Sequence, residues 1–389
     1  MSDSSTFPLA ATIRQEMDQF GLKLPFRRFM ELALYHPLHG YYMGARTRLG
    51  REGDFVTAPE MTSLFGELLT LEWIRVWEAL GKPSVFQVVE GGGGSGRLAG
   101  DILRTAKRFP QFNAALHYIL LEKSPDFRSE QKKYLQEMLL EEEKVQWLSD
   151  PDELADRSIH GVIFSNELLD AFPVHWVEMT TEGLKELAVV SGGEGFETNL
   201  IEPVSPLVSN YFESIGVDLA VGYRTEVGLP GCRWVEQMAG KIARGLMVTI
   251  DYGYTSREYY APLRAGGTLV GHRGHHRVDD PLLYPGQMDL TAHVDFSALA
   301  RSGVAGGLTT YGYTTQAWYL MGVGMLERLE MVLAKEGLDS AKGAELRQAV
   351  MRLILPQEMG ERFKVLVQGR GMEIGGLLGF RLNNQRDRL

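Results

Sequence analysis

The sequence has very little cysteine, no long apolar run and no excess of positive charge. Its single cysteine, Cys232, excludes a disulfide bond within the chain and favours a reducing compartment. No stretch approaches the roughly 18 apolar residues of a membrane-spanning helix. The N-terminal stretch MSDSSTFPLAATIRQEMDQF lacks the basic start and apolar centre of a signal peptide. A formal net charge of −10 argues against non-specific binding to nucleic acid or anionic membranes. We therefore expect a cytoplasmic protein that binds neither.

What the sequence does contain is an alternation of strand patterns and helix patterns. Its 389 residues are 44% hydrophobic and 23% charged, which is typical of a globular chain. Apolar strands followed by amphipathic helices predict βαβ units, and so a mostly parallel, doubly wound α/β sheet. The predicted strands are residues 85–90, 116–122, 144–148, 160–166, 245–253 and 363–371. Helices are predicted outside this alternation at 11–36, 65–80, 315–335 and 339–354.

A run of four glycines follows the first of these strands. The stretch VFQVVEGGGGSGRLAGDILR (85–104) passes from a strand through the loop to a helix, and Gly92, Gly94 and Gly96 form the pattern G-x-G-x-G. Glycine permits positive φ and removes Cβ, so a ligand can approach the backbone. The following helix offers unpaired N–H groups at its start. This context favours a nucleotide-type cofactor loop, and a tight strand-to-helix turn is the plain alternative.

Two acidic residues at strand ends narrow the class of cofactor. Glu122 ends the second strand, where dinucleotide-binding folds place a carboxylate that binds ribose hydroxyls. Glu90 ends the first strand, directly before the glycines. A carboxylate there would repel the pyrophosphate of NAD or FAD, but it suits the sulfonium and ammonium groups of S-adenosyl-L-methionine (SAM). The residues therefore favour SAM over NAD.

Five motifs, in order along the chain, resemble those of the MidA-like SAM-dependent methyltransferases, the family of the mitochondrial complex I assembly arginine methyltransferase. One is E-x-G-x-G-x-G-x-L-x-x-D-I-L at Glu90 to Leu103. The others are GDFVTAPEMTSLFGE (53–67), SNELLDAFPVHW (165–176), PGQMDLTAHVDFSAL (285–299) and PQEMGERFKVL (356–366). The glycine loop departs from the family pattern E-L-G-P-G-R-G, because Gly91 and Gly93 replace a leucine and a proline.

The resemblance implies a Rossmann-like class I methyltransferase core, with a mostly parallel seven-stranded sheet and helical additions at both ends. We place an N-terminal helical extension and a cofactor-covering loop in residues 1–82. The core then occupies 83–312, with an insertion at about 180–240, and a C-terminal helical region with the last strand occupies 313–389. The residues expected to bind SAM are Glu90, Gly92, Gly94, Gly96, Glu122, Thr57, Pro59, Asn166 and Leu148.

The candidate catalytic residues depend on the methyl acceptor. A guanidinium is protonated and a poor nucleophile, so carboxylates must pair with it and orient one nitrogen. Glu167 and Asp170, after the fourth strand, and Asp54 in the GDF stretch are the candidates; Asp170 as a helix cap is the alternative. A hydroxyl acceptor would instead need a general base, for which His175 or His293 is available. The run GHRGHHR (271–277) lacks the cysteine or carboxylate spacing of a metal site, so no metal is expected.

Three functions remain open from the sequence. The resemblance implies methylation of a protein arginine. An alternative is an O-methyltransferase that acts on a hydroxyl or carboxyl group of a small metabolite. A third is a non-catalytic assembly factor that binds SAM or only a protein partner. The sequence also leaves open whether the protein forms a homodimer.

Overall fold

The computed structural model describes residues 8–43, 57–138, 142–193, 195–336, 340–372 and 377–389. The chain forms two compact units. The first unit is drawn from Met1–Arg48, Leu169–Arg233 and Tyr254–Asp295, and the second from Leu49–Leu168, Trp234–Gly253 and Phe296–Leu389. The domain boundaries expected from the sequence, 82/83 and 312/313, stay a prediction. Among the helices that the structure describes, none has both the length and the apolar character needed to cross a membrane.

Strands and helices alternate through much of the chain. The strands are β1 Leu24–Pro25, β2 Phe86–Gly91, β3 Leu116–Leu121, β4 Val145–Leu148, β5 Ile159–Asn166, β6 His175–Thr180, β7 Gly183–Gly192, β8 Gly195–Ile201, β9 Arg224–Val227, β10 Ile242–Tyr254, β11 Val270–Arg273, β12 His276–Val278, β13 Asp289–Thr291, β14 Val294–Asp295, β15 Thr309–Thr315 and β16 Phe363–Arg370. The helices are α1 Pro8–Gln19, α2 Phe26–Tyr35, α3 Ala58–Met61, α4 Leu64–Ala79, α5 Arg97–Ala106, α6 Pro110–Ala115, α7 Pro125–Glu137, α8 Pro206–Ser209, α9 Tyr211–Ser214, α10 Leu229–Lys241, α11 Ser256–Tyr259, α12 Phe296–Ala305, α13 Gln316–Val323, α14 Met325–Glu336 and α15 Ala341–Ile354.

The second unit is built on the predicted sheet. Seven strands run in the order β15-β16-β10-β5-β2-β3-β4. The pairs from β10 to β4 are parallel, whereas β16 is antiparallel to both of its neighbours. All six strands predicted from the sequence are therefore present, and the predicted fold class is confirmed.

Apolar side chains bury both faces of this sheet, as expected when helices cover a parallel sheet on both sides. Val88 and Phe164 are almost completely buried on one face, and Val89 and Ile163 are buried on the other. Trp73 of α4 packs on Phe164, with ring centroids 4.6 Å apart. Packing of the helices thus stabilises the sheet. The polar residues described below lie at the carboxyl ends of its strands.

The first unit has two smaller antiparallel sheets. Strands β1, β7, β6 and β9 form one in that order, with β8 on β7, and β12, β11 and β13 form the other. Its core joins the N-terminal helices to this β structure: Phe26 of α2 meets Trp176 of β6 edge-on, with ring centroids 5.0 Å apart. Ile13 and Phe29 are fully buried in the same cluster.

Three details of the sequence-based assignment were wrong. The helix predicted at 11–36 is two helices, because Gly21 and Leu22 take left-handed φ values of 62° and 68° and break the hydrogen-bonding pattern. The helix predicted at 315–335 is interrupted at Gly324, whose φ is 100°. Strand β15 was missed, although its threonine- and tyrosine-rich stretch TTYGYTT has strong β propensity.

Candidate active site

The register of the parallel strands places the candidate cofactor residues at one edge of the sheet. Gly91, the last residue of β2, is paired with Leu121 of β3 and Ser165 of β5. The next residues along the chain, Gly92, Glu122 and Asn166, therefore emerge side by side. This edge, at the carboxyl ends of the strands, is where open α/β sheets bind their ligands.

The glycine loop has the backbone that its sequence predicts. Gly92, Gly94 and Gly96 have φ values of 68°, 50° and 79°, all in the left-handed region that disfavours a Cβ. The Gly92 N–H donates to the Leu121 carbonyl at 3.0 Å, which ties the loop to β3. Gly96 is the N-cap of α5, so the loop turns directly into the helix.

The two glycines that replace the leucine and the proline of the family pattern, Gly91 and Gly93, are tightly packed. A Cβ on Gly93 would overlap the Leu120 side chain, and a Cβ on Gly91 would lie 3.0 Å from both Leu168 and Trp234. The conformation found here leaves no free space for larger side chains at these positions. Gly91 and Gly93 therefore allow close packing in the structure.

Glu122 is positioned for binding hydroxyl groups. Its side chain is buried, its N–H donates to the Leu148 carbonyl at 2.9 Å, and its Oε1 accepts the Ser124 N–H at 2.9 Å. Burial raises the pKa of this carboxyl group, while the hydrogen bonds from Ser124 and Gln131 oppose the rise. A carboxylate offers about four acceptor sites, so the hydrogen bonds from Ser124, Gln131 and the Gly94 backbone leave capacity for one further donor.

Gln131 of α7 links the glycine loop to Glu122, and sequence reasoning missed it. Its Nε2 donates to the Gly94 carbonyl at 2.9 Å and to Glu122 Oε2 at 3.2 Å. Its Oε1 accepts the indole N–H of Trp147 at 3.1 Å. The residue is completely buried, and a buried amide is retained when its polar atoms are satisfied. The only sequence signal was a glutamine on the inner face of a helix next to the loop.

Glu90 is buried beneath the loop. Its Oε2 accepts the Tyr118 hydroxyl at 2.6 Å, and the residue is only 3% exposed. Burial raises the pKa of the Glu90 carboxyl group to about 7; the Tyr118 hydrogen bond opposes this rise, and the charge of Glu122 adds to it. A cationic group bound nearby would favour the ionised form of Glu90.

Glu167, at the end of β5, has a left-handed backbone with φ of 52°. Its N–H donates to the Ile250 carbonyl at 2.9 Å, and the next N–H, of Leu168, donates to Asp251 Oδ2 at 3.3 Å. Glu167 Oε1 accepts the Ala58 N–H at 3.4 Å and the Asn166 amide at 3.1 Å. Such a backbone conformation in a non-glycine residue is costly and clusters at functional sites.

The segment that contains Thr57 and Pro59 reaches the same edge of the second unit. Thr57 precedes the short helix α3, and Pro59 lies within it. Glu60 of this helix binds Ser95 and Arg97, at 2.6 Å and 2.8 Å. The structure thus brings together the predicted cofactor residues on α3, the glycine loop and the ends of β3, β4 and β5.

Two predicted catalytic residues belong to the first unit, and one lies outside the described residues. The Asp170 carbonyl accepts the Ala292 N–H at 2.9 Å within the first unit. His175 is buried on β6, with its Nδ1 2.8 Å from Glu186 Oε1. Asp54 falls in the part of the chain that is not described. The catalytic roles of Glu167, Asp170, Asp54 and His175 stay predictions.

The histidine-rich run GHRGHHR is ordered as a hairpin. Its residues belong to β11 and β12, which pair with His272 opposite Arg277. Within the described ranges, no group of three or more His, Cys, Asp or Glu side chains could hold a metal ion. In the same unit Tyr42, from the GYYMGAR run, donates its hydroxyl to Asp289 of the PGQMD motif at 2.8 Å. Sequence reasoning did not connect these two motifs.

The residues at the sheet edge fit S-adenosyl-L-methionine. The glycine loop presents bare backbone, and the buried Glu122 carboxylate can accept a ribose hydroxyl. Asn166 Oδ1 is buried without a hydrogen-bond partner among the described residues, and a buried acceptor of this kind calls for a donor. The ammonium group of the cofactor is a donor of the required type. The fold and this set of residues define a SAM-dependent methyltransferase.

Comparisons with known proteins give the family. A family described as "Putative S-adenosyl-L-methionine-dependent methyltransferase" matches residues 68–314. The mitochondrial protein arginine methyltransferase NDUFAF7 of Bos taurus is 30% identical over 364 residues, which are 87% of this chain and 78% of that protein. The human NDUFAF7 is 30% identical over 366 residues, 86% of this chain and 77% of that protein.

A solved structure agrees over nearly the whole chain. It is a Burkholderia thailandensis protein, described as a "likely methyl transferase" and bound to S-adenosyl-homocysteine, with 34% identity and a TM-score of 0.89. The match covers 99% of this chain and 97% of that protein. The chain belongs to this family of SAM-dependent methyltransferases and is related to the NDUFAF7 arginine methyltransferases. The sequence resemblance, the enzyme class and the cofactor are thereby confirmed.

The predicted cytoplasmic location is wrong by the same comparisons. The NDUFAF7 relatives from Bos taurus, Homo sapiens and Drosophila melanogaster are all named as mitochondrial proteins. The argument from composition failed because the absence of disulfides and of a signal-peptide pattern does not distinguish one reducing compartment from another.

Proposed function

We propose that this enzyme methylates a guanidinium nitrogen of an arginine in a protein substrate, with Glu167 as the carboxylate that binds the guanidinium. The observation that carries the proposal is the left-handed backbone of Glu167 at the end of β5, beside the glycine loop. A left-handed glutamate persists only where the surroundings hold it, as the hydrogen bonds of Glu167 and Leu168 do here. The names of the NDUFAF7 relatives supply the substrate class.

The cofactor, when bound, supplies a methyl group already activated on a sulfonium. What remains for the protein is to hold and align the acceptor, an effect that alone can supply a large part of the rate. A guanidinium has five N–H donors in a planar fork, which matches a carboxylate. Glu167 would fix that plane and would accept the proton that the reacting nitrogen loses as it takes up the methyl group. Neither the small-metabolite acceptor nor the non-catalytic scaffold has comparable support.

In this proposal, the residues around the loop hold the cofactor. Glu122 binds the ribose, Asn166 Oδ1 accepts from the ammonium group, and Gly92, Gly94 and Gly96 form the cradle. Thr57, Pro59, Leu148 and Glu90 complete its surroundings. Asp170 and Asp54 are further carboxylates proposed for the acceptor, and His175 remains the proposed base only for a hydroxyl acceptor.

The test is methyl transfer to peptides from isotopically labelled SAM, read by mass spectrometry. Short arginine-containing peptides are compared with matched lysine peptides and with small hydroxy acids. We expect label on arginine nitrogen, and its loss in Glu167→Gln with cofactor binding retained. Label on oxygen would overturn the arginine proposal, and so would absence of transfer to any arginine peptide while calorimetry shows SAM bound. Light scattering of the full chain tests separately whether the protein forms a homodimer.

A further inference from the structure

The side chain of Glu60 joins α3 to the end of the glycine loop. Its Oε1 accepts the Ser95 hydroxyl at 2.6 Å, and its Oε2 lies 2.8 Å from Nε of Arg97. Ser95 and Arg97 flank Gly96, the left-handed residue at which the loop becomes α5. One carboxylate therefore holds both neighbours of the residue where the chain turns from loop into helix.

The environment of Glu60 makes these two bonds strong. Its side chain is 7% exposed, whereas that of Arg97 is 52% exposed. A carboxylate so far removed from water depends on its partners, and hydrogen bonds to an ionised group are stronger than neutral ones. The charge of Arg97 and the hydroxyl of Ser95 thus offset the cost of burying the Glu60 carboxylate. The same two bonds hold the side chains of Ser95 and Arg97 in place.

The loop has few side chains of its own with which to maintain its shape. Residues 91–94 are all glycine, and glycine loses more conformational freedom on ordering than any other residue. On one side, Gln131 holds the Gly94 carbonyl. On the other side, Glu60 holds the exit from the loop. Neighbouring elements therefore supply much of the order of this backbone.

The same short helix also contacts the proposed catalytic residue. The Ala58 N–H donates to Glu167 Oε1 at 3.4 Å, two residues before Glu60. Helix α3 thus contacts the loop with one residue and the end of β5 with another.

We propose that Glu60 is a positioning residue for cofactor binding, which keeps the Ser95–Arg97 turn in the conformation that receives SAM. This inference rests on the proposed assignment of the glycine loop to the cofactor. Glu60 does not itself need to touch the ligand. Its removal should therefore weaken cofactor binding while leaving the chemistry at saturating SAM largely intact.

The test uses the full chain with Glu60→Gln, Arg97→Gln and the matched control Arg104→Gln. Arg104 pairs with Asp101 at 3.2 Å on the same helix and is 46% exposed, but it lies away from the loop. Calorimetry with SAM and with S-adenosylhomocysteine should show the Kd raised about tenfold in the first two variants, since hydrogen bonds to charged groups commonly supply such a factor. The Kd of Arg104→Gln should match the wild type.

Two further measurements distinguish a positioning role from a general loss of stability. The KM for SAM should rise with kcat changed by less than about twofold. Amide exchange in ligand-free Glu60→Gln should quicken more in residues 92–98 than in strands β2 and β5, whereas a general loss of stability would quicken exchange in all of them. An unaltered Kd in Glu60→Gln, or equal weakening in Arg104→Gln, would overturn the proposal. Glu122→Ala distinguishes failure of the Glu60 proposal from failure of the cofactor assignment on which it rests. If Glu122→Ala binds SAM normally, the assignment of the cofactor to this edge of the sheet is wrong.

Discussion

Glu167 occupies a backbone region that residues with a Cβ seldom adopt. Its φ is 52°, and two hydrogen bonds hold the chain here: the Glu167 N–H donates to the Ile250 carbonyl, and the Leu168 N–H donates to the Asp251 side chain. Strain of this kind typically amounts to about 1–3 kcal/mol. Glycine would take this φ without strain, so the presence of glutamate indicates a use for its side chain, which here accepts the Ala58 N–H and the Asn166 amide.

Replacing Glu167 by glycine should therefore separate stability from activity. We expect Glu167→Gly to raise the free energy of unfolding by about 1 kcal/mol, because glycine takes this φ without strain. Methyl transfer should fall by about 100-fold or more, because the acceptor is no longer aligned. Urea denaturation and initial rates on the same samples measure both quantities.

The control is Arg157→Gly, since Arg157 has a φ of 55° and is exposed in the second unit. It should gain stability at unchanged activity. If Glu167→Gly kept its activity, the catalytic role of Glu167 would be lost and its conformation would have to be explained by packing.

Burial of Glu90 makes the stability of the protein depend on pH. Its folded-state pKa of about 7 lies above the ordinary value of 4.5. The folded state therefore binds the proton more tightly, and the stabilisation is complete below about pH 4.5 and lost as pH rises through about 7. Asp101, with a pKa raised to about 6 by burial, acts in the same direction.

Glu90→Gln should remove only the part of this dependence that belongs to Glu90. Between about pH 5 and pH 8, the free energy of unfolding should fall more steeply in the wild type than in the variant. Urea denaturation at a series of pH values gives both slopes. Parallel curves would show that Glu90 does not titrate in this range in the folded protein.

At the scale of elements, the sequence predicted the strands that have a clear apolar pattern. It missed features that depend on backbone conformation or on contacts between distant elements. Strands β2, β3, β4, β5, β10 and β16 have continuous apolar patterns and were all found. The single helix predicted at 11–36 failed because its apolar spacing continues across the left-handed Gly21 and Leu22, which only the backbone shows. Gln131 was missed for a similar reason, since its bonds to Gly94 and Glu122 join elements that are far apart in sequence.

Helix α7 should set cofactor affinity through Gln131. Gln131→Leu keeps the size of the side chain, but it removes the bonds to Gly94, Glu122 and Trp147. We expect the Kd for SAM to rise about tenfold, because the loop and the ribose carboxylate lose their common donor.

Lys133→Gln on the same helix is the control for this experiment. Lys133 pairs only with the exposed Glu137 among the ion pairs of the described chain, and exposed pairs contribute little. Calorimetry measures the Kd for SAM of both variants, and that of Lys133→Gln should match the wild type. Equal affinities in Gln131→Leu and the wild type would mean that the loop keeps its shape without α7.

At the scale of the whole molecule, the two units differ in what they contribute. The second unit contains every residue proposed to bind the cofactor, and it also contains Glu167. The first unit holds Asp170, His175 and Asp289, on motifs that the resemblance also covers, together with Tyr42, which donates a hydrogen bond to Asp289. Chain order does not reveal this division, because each unit is assembled from three separate stretches, and contacts between distant stretches are not encoded in local patterns.

If the cofactor edge is correctly assigned, SAM should protect the second unit directly. At a concentration of 100 times its Kd, a ligand that binds only the folded state adds about 2.7 kcal/mol to stability. Amide hydrogen exchange should slow most in residues 86–98, 116–131 and 159–168, which contain the glycine loop, Glu122, Gln131 and Glu167. Glu122→Ala at the same SAM concentration should lose most of this protection, because its binding is weakened. Protection confined to residues 169–233 and 254–295 would place the cofactor on the first unit and contradict the site argued from the strand register.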